Sequence, residues 1–313
     1  MQNAVESTAK VEDLRLSKLV PGFLRYGQYE LGYLPETIRK YKDCLSWVVR
    51  YTEDVEVTSL NLERITSIKA KIEARGAKEA RVASIVFALK SFLKYCQEEL
   101  DIEVFSYRKI RAPRHRKREV IFLSNEEVEQ FLESIPIWKS WNGKTPGKYL
   151  RLDALRFRTL VELLLGTGMR ISEALSLNRD SIDFEKGEAK IIGKGSRERT
   201  VFFTHRCLEW VKFYIKNKTD NEPQLFSSRL GTRLNRADVS KLFATYKKKS
   251  GISKKITPHI LRHTVATNLL FNGCPISHVK EILGHENLET TCRYYLGLDK
   301  TKAKEAHNKF LKF

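Results

Sequence analysis

The sequence predicts a mainly α protein in two parts: a helical module, then a mostly helical domain with one small antiparallel β-sheet. Three observations carry this. The chain has 313 residues, two domains' worth at roughly 150 residues each. Apolar residues recur at three- and four-residue intervals through most of it. One stretch, residues 181–201, alternates instead and holds the pairs Lys186-Gly187 and Lys194-Gly195, the mark of short strands joined by tight turns.

The elements follow in order. Leu14, Leu16, Leu19, Phe23 and Leu24 make a first apolar helical stripe. Ile38, Tyr41, Leu45 and Val48 make a second behind Pro35, a residue suited to a helix start. A third helix spans about Leu60 to Arg75 and stops at Gly76. A fourth, Ala80 to Glu99, carries Val82, Ile85, Val86, Leu89, Phe92 and Leu93. The segment 111–118 has no apolar periodicity and is nearly all basic, so it reads as a linker. Order restarts at Ser124, with Glu127 three residues on as in a capping box. Residues 136–150 are turn-rich and read as a loop. Ala154 to Leu165 is a helix ending near Gly166 and Gly168, and Met169 to Leu175 opens another. Beyond the strands, helices are expected over Cys207–Lys216, Arg236–Lys249, Pro258–Phe271 and Ile276–Leu283.

Composition excludes several classes. With 42% hydrophobic and 30% charged residues, the chain is too apolar to be largely disordered. No apolar run approaches the roughly 20 residues needed to span a bilayer. The first residues lack a signal-peptide core. The five cysteines are scattered, with no metal-ligand or disulfide spacing. A cytoplasmic protein is expected. The net charge of +19 calls for a polyanionic partner, because Lys and Arg on phosphates release counterions. A merely solvated basic surface is the plainer reading. The surplus is shared: residues 1–118 carry 23 Lys and Arg against 16 Asp and Glu, and residues 119–313 carry 34 against 22. Both parts are therefore expected to touch the same polyanion.

Five short motifs stand out. In Thr167-Gly168-Met169-Arg170-Ile171-Ser172-Glu173, an arginine follows a glycine turn at a helix head. A guanidinium forks two phosphate oxygens and keeps its charge at neutral pH, and Glu173 at i+3 can hold it in place. In His259-Ile260-Leu261-Arg262-His263, Thr257 and Pro258 start a helix, so His259 and Arg262 project from one face beside free N–H groups. Gly193-Lys194-Gly195 suits a hairpin tip. Leu283-Gly284-His285 and the adjacent pair Tyr294-Tyr295 complete the set. On a helix the two tyrosines diverge by about 100°, so only one can face a given phosphate. Each motif alone has a bland reading: a surface arginine, a solvated lysine, a structural histidine, a packed ring.

In this order and spacing the motifs resemble those of the tyrosine recombinase (phage integrase, Xer-like) family of site-specific DNA recombinases. The resemblance spans the chain and is clearest from Ser124 to Tyr295. It implies an N-terminal helical (SAM-like) core DNA-binding domain over 1–112, a basic linker over 113–118, and a catalytic domain over 119–313 whose C-terminal tail docks in trans. It implies that Arg170 and Arg262 clamp the scissile phosphate and that Lys194 is the general acid. His285 donates to the phosphate, and His259 accepts or returns the nucleophile's proton. Nine residues after His285 is the family's nucleophile spacing, which selects Tyr294. His263 and His278 are left as structural. Arg114, Arg116, Lys117, Arg118, Arg197 and Arg199 are candidate DNA contacts, and Glu173 supports Arg170 from behind.

The implied partners are double-stranded DNA and further copies of the chain, a tetramer in the synapse. The implied intermediate is a 3′-phosphotyrosyl ester with a free 5′ hydroxyl, which needs no cofactor and no metal. Phe310, Leu311 and Phe313 are the expected docking residues of the tail. Residues 136–150 look longer than the compact Xer pattern needs, which leans towards a mobile-element integrase. The competing readings are a type IB topoisomerase, which shares the tyrosine chemistry, and a non-catalytic DNA-binding protein.

Overall fold

The computed structural model describes residues 13–113, 120–140, 148–192 and 198–284. The chain divides into two units, Met1–Lys117 and Arg118–Phe313.

The first unit is helical. Helices α1 (Leu16–Tyr29), α2 (Pro35–Thr52), α3 (Leu62–Ala74) and α4 (Glu79–Glu98) follow the periodicities read above, with Pro35 in the first turn of α2. Asn61 caps α3 by accepting from the Arg64 N–H. Helix α4 packs against the other three and is buried along most of its length, down to Phe92 and Leu93. Each such side chain contributes about 1.5–3 kcal/mol relative to exposure. Phe23 closes the core edge-on to Phe92 and Tyr41.

The second unit opens with α5 (Asn125–Glu133), whose capping box is formed: Ser124 Oγ accepts from Glu127 N, and Glu127 Oε2 from Ser124 N. Strands β1 (Trp138–Ser140) and β2 (Lys148–Leu150) then pair antiparallel, with Trp138 opposite Leu150. This corrects the loop expected over 136–150. Three-residue strands are too short for alternation to show against turn-forming neighbours.

Helix α6 (Leu152–Thr167) is buried along most of its length and lies at the centre of the unit, packed on α8 (His205–Asn217). Between them come α7 (Ile171–Ser176) and the sheet β3 (Ile182–Asp183), β4 (Glu188–Ile192), β5 (Glu198–Phe202), antiparallel in that order. Ala189 faces Val201 and Ile191 faces Arg199 across the β4–β5 pair. Helices α9 (Arg236–Ser250), α10 (Pro258–Phe271) and α11 (Ile276–Leu283) complete the described residues. Aromatic rings from α5, α6 and α9 seal the core, with Phe131 stacked on Phe243 and Phe157 on Tyr246.

Candidate active site

Three local structures in the second unit aim at one place. The first is the end of α6, which runs through Gly166 and stops at Gly168, left-handed at φ +65°. A side chain there would also strike Leu283, since an added Cβ would lie 2.7 Å from Cδ2. Arg170 is the residue before α7, and its backbone N–H donates to Glu173 Oε2 at 2.9 Å.

The second is the head of α10. Thr257 caps it through Ile260 N, Pro258 occupies the first turn, and His259 follows. Arg262 comes one turn later and is only 5% exposed. The third is the end of α11, where Gly284 is left-handed at φ +63°.

Guanidiniums tie these pieces together. Arg262 donates from Nη1 to the Gly168 carbonyl at 2.7 Å and from Nη2 to the Leu283 carbonyl. Arg170 donates from Nη1 to Glu173 Oε1 at 2.8 Å and from Nη2 to the Gly284 carbonyl at 2.7 Å. Arg199 donates from Nη1 to the Ile282 carbonyl and from Nη2 to Glu173 Oε2, both at 2.9 Å. Three arginines thus satisfy three successive carbonyls at the C-terminus of α11. Those groups have no partner within the helix, and they sit at the negative end of its dipole.

Glu173 is buried, at 5% exposure, between Arg170 and Arg199. Burial alone would push its carboxyl up. The Arg170 N–H and the Arg199 and Arg170 guanidiniums outweigh this and hold it below the usual range, so it is ionised. Arg170 remains a third exposed. A guanidinium has five N–H donors, so its protein partners orient it without exhausting it.

His259 is held below its ordinary value by burial and by the positive charges of Arg262, Arg170 and Arg236. His263 lies 6.1 Å from it, ring to ring, and is pushed down to about 4 by burial, His259 and Arg262. Both imidazoles are therefore neutral at pH 7, and His259 is able to accept a proton.

The structure therefore brings Arg170, Glu173, Arg199, His259 and Arg262 into one region. Arg199, expected as a DNA contact, has its guanidinium on Glu173 and Ile282 with only 16% exposure. The signal was the alternation of Arg199, Val201 and Phe203, which puts the arginine on the strand's inner face. Arg236, the first residue of α9, is exposed and its charge reaches His259; no motif pointed to it. Lys194, Arg197, His285, Tyr294, the linker residues Arg114, Arg116, Lys117 and Arg118, and the tail residues Phe310, Leu311 and Phe313 lie outside the described residues. No helix among the described residues is long and apolar enough to cross a membrane.

Residues 122–302 match the phage integrase family. The chain is 30% identical over 291 residues to the tyrosine recombinase XerC of Vibrio cholerae, covering 91% of this chain and 89% of that one. It is 29% identical over 304 residues to XerD of Staphylococcus haemolyticus, covering 94% and 99%. In fold it matches the Tn1549 transposon integrase, solved in complex with transposon right end DNA, at TM-score 0.77 and 18% identity over 95% of this chain and 99% of that one. It also matches the site-specific recombinase XerH, solved on a palindromic difH substrate, at TM-score 0.70 and 21% identity over 96% and 90%.

Proposed function

The chain belongs to the phage integrase family of tyrosine site-specific recombinases, and from that premise we propose how its residues divide the reaction. Arg170 and Arg262 clamp the scissile phosphate of double-stranded DNA and offset the charge that builds on its oxygens. His285 donates a further hydrogen bond. Tyr294 attacks phosphorus, and its proton passes to His259. A free phenol has a pKa of about 10 and is a weak nucleophile at pH 7, so the neighbouring base and the guanidinium charge matter. Lys194 protonates the departing 5′ oxygen. The product is a 3′-phosphotyrosyl ester with a free 5′ hydroxyl. Attack by the 5′ hydroxyl of a second strand reverses each transfer and reseals the backbone.

The observation that carries this reading is the anchoring of Arg170 and Arg262 on adjoining carbonyls, Gly284 and Leu283, directly before His285 in the chain. One carboxylate, Glu173, is shared by two of the three guanidiniums gathered there. The remaining positive charge suits a phosphodiester. The head of α10 adds its dipole and N–H groups.

Residues 1–112 are proposed as the core DNA-binding domain, 113–118 as a linker that contacts the backbone through Arg114, Arg116, Lys117 and Arg118, and 119–313 as the catalytic domain. Arg197 is proposed as a further backbone contact. The net charges, +7 over residues 1–118 and +12 over residues 119–313, support engagement of one duplex by both. The complex is proposed to be a tetramer on DNA in the cytoplasm, associated with the nucleoid. An apolar groove of 420 Å³ lined by Leu165, Phe202, Phe203, Val265 and Leu269 supports docking of a neighbour's Phe310, Leu311 and Phe313. A type IB topoisomerase or a non-catalytic binder is not favoured beside relatives named as recombinases.

The test is Tyr294→Phe. It is expected to bind DNA as before and to form no covalent complex on a denaturing gel. An adduct surviving in that variant would transfer the role to Tyr295.

A further inference from the structure

Arg199 has a place in the site that its position in a basic hairpin does not suggest. On β5 it stands opposite Ile191 and shares the inner face with the buried Val201. From there its fork spans two other elements, α7 through Glu173 and α11 through the Ile282 carbonyl. Its chain also lies against Gly284: a Cβ on that residue would sit 2.6 Å from Nε, 2.8 Å from Cδ and 2.9 Å from Cζ. Gly284 is thus required twice, by its left-handed backbone and by the arginine over it. Among the described residues Arg199 Nε is buried without a partner.

The contacts define what this side chain controls. Glu173 Oε2 accepts from both Arg199 Nη2 and the Arg170 N–H, while Oε1 accepts from Arg170 Nη1. Fixing Oε2 therefore fixes the plane of the carboxylate that orients Arg170. The same guanidinium fixes the Ile282 carbonyl, and the next two carbonyls are the ones on which Arg262 and Arg170 end. Both phosphate-clamp arginines are set by surfaces that Arg199 holds. A lysine could not reproduce this, because a point charge on a flexible stem cannot fork to two acceptors on different elements.

We propose that Arg199 is a positioning residue of the recombination reaction: it makes no contact with DNA, but struts β5 to α7 and to the last turn of α11, so that Arg170 and Arg262 meet one phosphate together. This rests on the assignment of Arg170 and Arg262 given above.

The experiment uses the full chain and a nicked duplex built on the site that the wild-type protein selects from random-sequence DNA. Covalent complex formation is followed under single-turnover conditions at saturating protein, beside the Kd and its salt dependence. Arg199→Ala is expected to slow adduct formation about 100-fold, the penalty of a displaced catalytic geometry, with Kd and salt slope unchanged. An unchanged rate would overturn the proposal. So would a weakened Kd with a salt slope reduced by about one phosphate, because that marks a direct backbone contact. Arg199→Lys keeps the charge and is expected to stay slow; full activity with lysine would also overturn the strut. If Arg199→Ala does not fold, the lysine variant is judged by the same rate and salt measurements. Arg170→Ala is run in parallel. Wild-type cleavage by that variant would refute the phosphate-site assignment itself, whereas an inactive Arg170→Ala beside a fully active Arg199→Ala would refute only the strut.

Discussion

The second unit buries two glutamates, Glu162 on α6 and Glu173 on α7, and each is held by two arginines. The similarity ends at the charge balance. Glu162 takes Arg158 and Arg206, and Arg206 goes on to Glu129. Two carboxylates face two guanidiniums, and the second face of Arg158 is spent on Trp210, 4.8 Å from the ring centroid. That network is closed. Glu173 faces Arg170 and Arg199, with Arg262 beside them on the adjoining carbonyl. There one carboxylate is shared by two guanidiniums, and one of them, Arg170, is open to solvent. Desolvating charge is expensive unless it is paired, so two guanidiniums on one buried carboxylate, one of them open to solvent, suit an anion that completes the pairing.

The largest expected effect breaks the open cluster. Arg262→Ala and Arg170→Ala should each lower the rate of covalent complex formation by about 100- to 1,000-fold, the usual loss when one oxyanion-type donor is removed. DNA affinity should change far less, because most of the +19 charge lies elsewhere. Single-turnover cleavage and equilibrium binding, measured on the same variants, separate the two. Cleavage at the wild-type rate would remove either arginine from the chemistry.

The next effect falls on the closed network and tests the contrast from the other side. Glu162→Ala leaves Arg158, only 13% exposed, without its carboxylate. It should cost about 2–3 kcal/mol, less than a fully buried pair because Arg206 is half exposed. Denaturant unfolding reads this loss. At a temperature where the variant is folded, its cleavage rate should equal that of the wild type. A selective loss of cleavage would mean that the two glutamates do the same work.

The same contrast explains what could be read from the chain alone. In the first unit every buried side chain among the described residues is apolar or cysteine, so spacing, with Pro35 and Gly76 as boundary marks, located α1 to α4. In the second unit the helix starts carried their own signals: Ser124 with Glu127, Thr257 with Pro258, and Gly168 before Arg170. The pairing of Arg170 with Glu173 was legible because the two lie three residues apart. The Arg199 bridge was not, since its partners are 26 and 83 residues away in sequence. Arg236 likewise reaches His259 only through the fold. The strands β1 and β2 were hidden by their length.

The smallest expected effect is a pH dependence that belongs to the open cluster. His259 and His263 are both depressed below the ordinary 6.5, His263 to about 4, with burial the leading cause in both; the next is arginine charge at His259 and the neighbouring His259 at His263. An unfolded chain binds these protons at higher pH than the folded one, so stability rises with pH through this window. The contribution is complete above pH 6.5 and is lost as pH falls towards 4. Glu173 and Glu129, held below 4.5 by their arginines, lose their contribution only in more acid solution. Between pH 6.5 and 4.5 the fall in Tm should therefore report the histidine pair, and His263→Gln should flatten it. An equally steep fall in that variant would place the titrating group elsewhere. Cleavage should decline over an overlapping range for a separate reason. Once protonated, His259 can no longer take the nucleophile's proton, so the His263→Gln variant should keep the acid limb of its rate profile while the acid limb of its stability flattens.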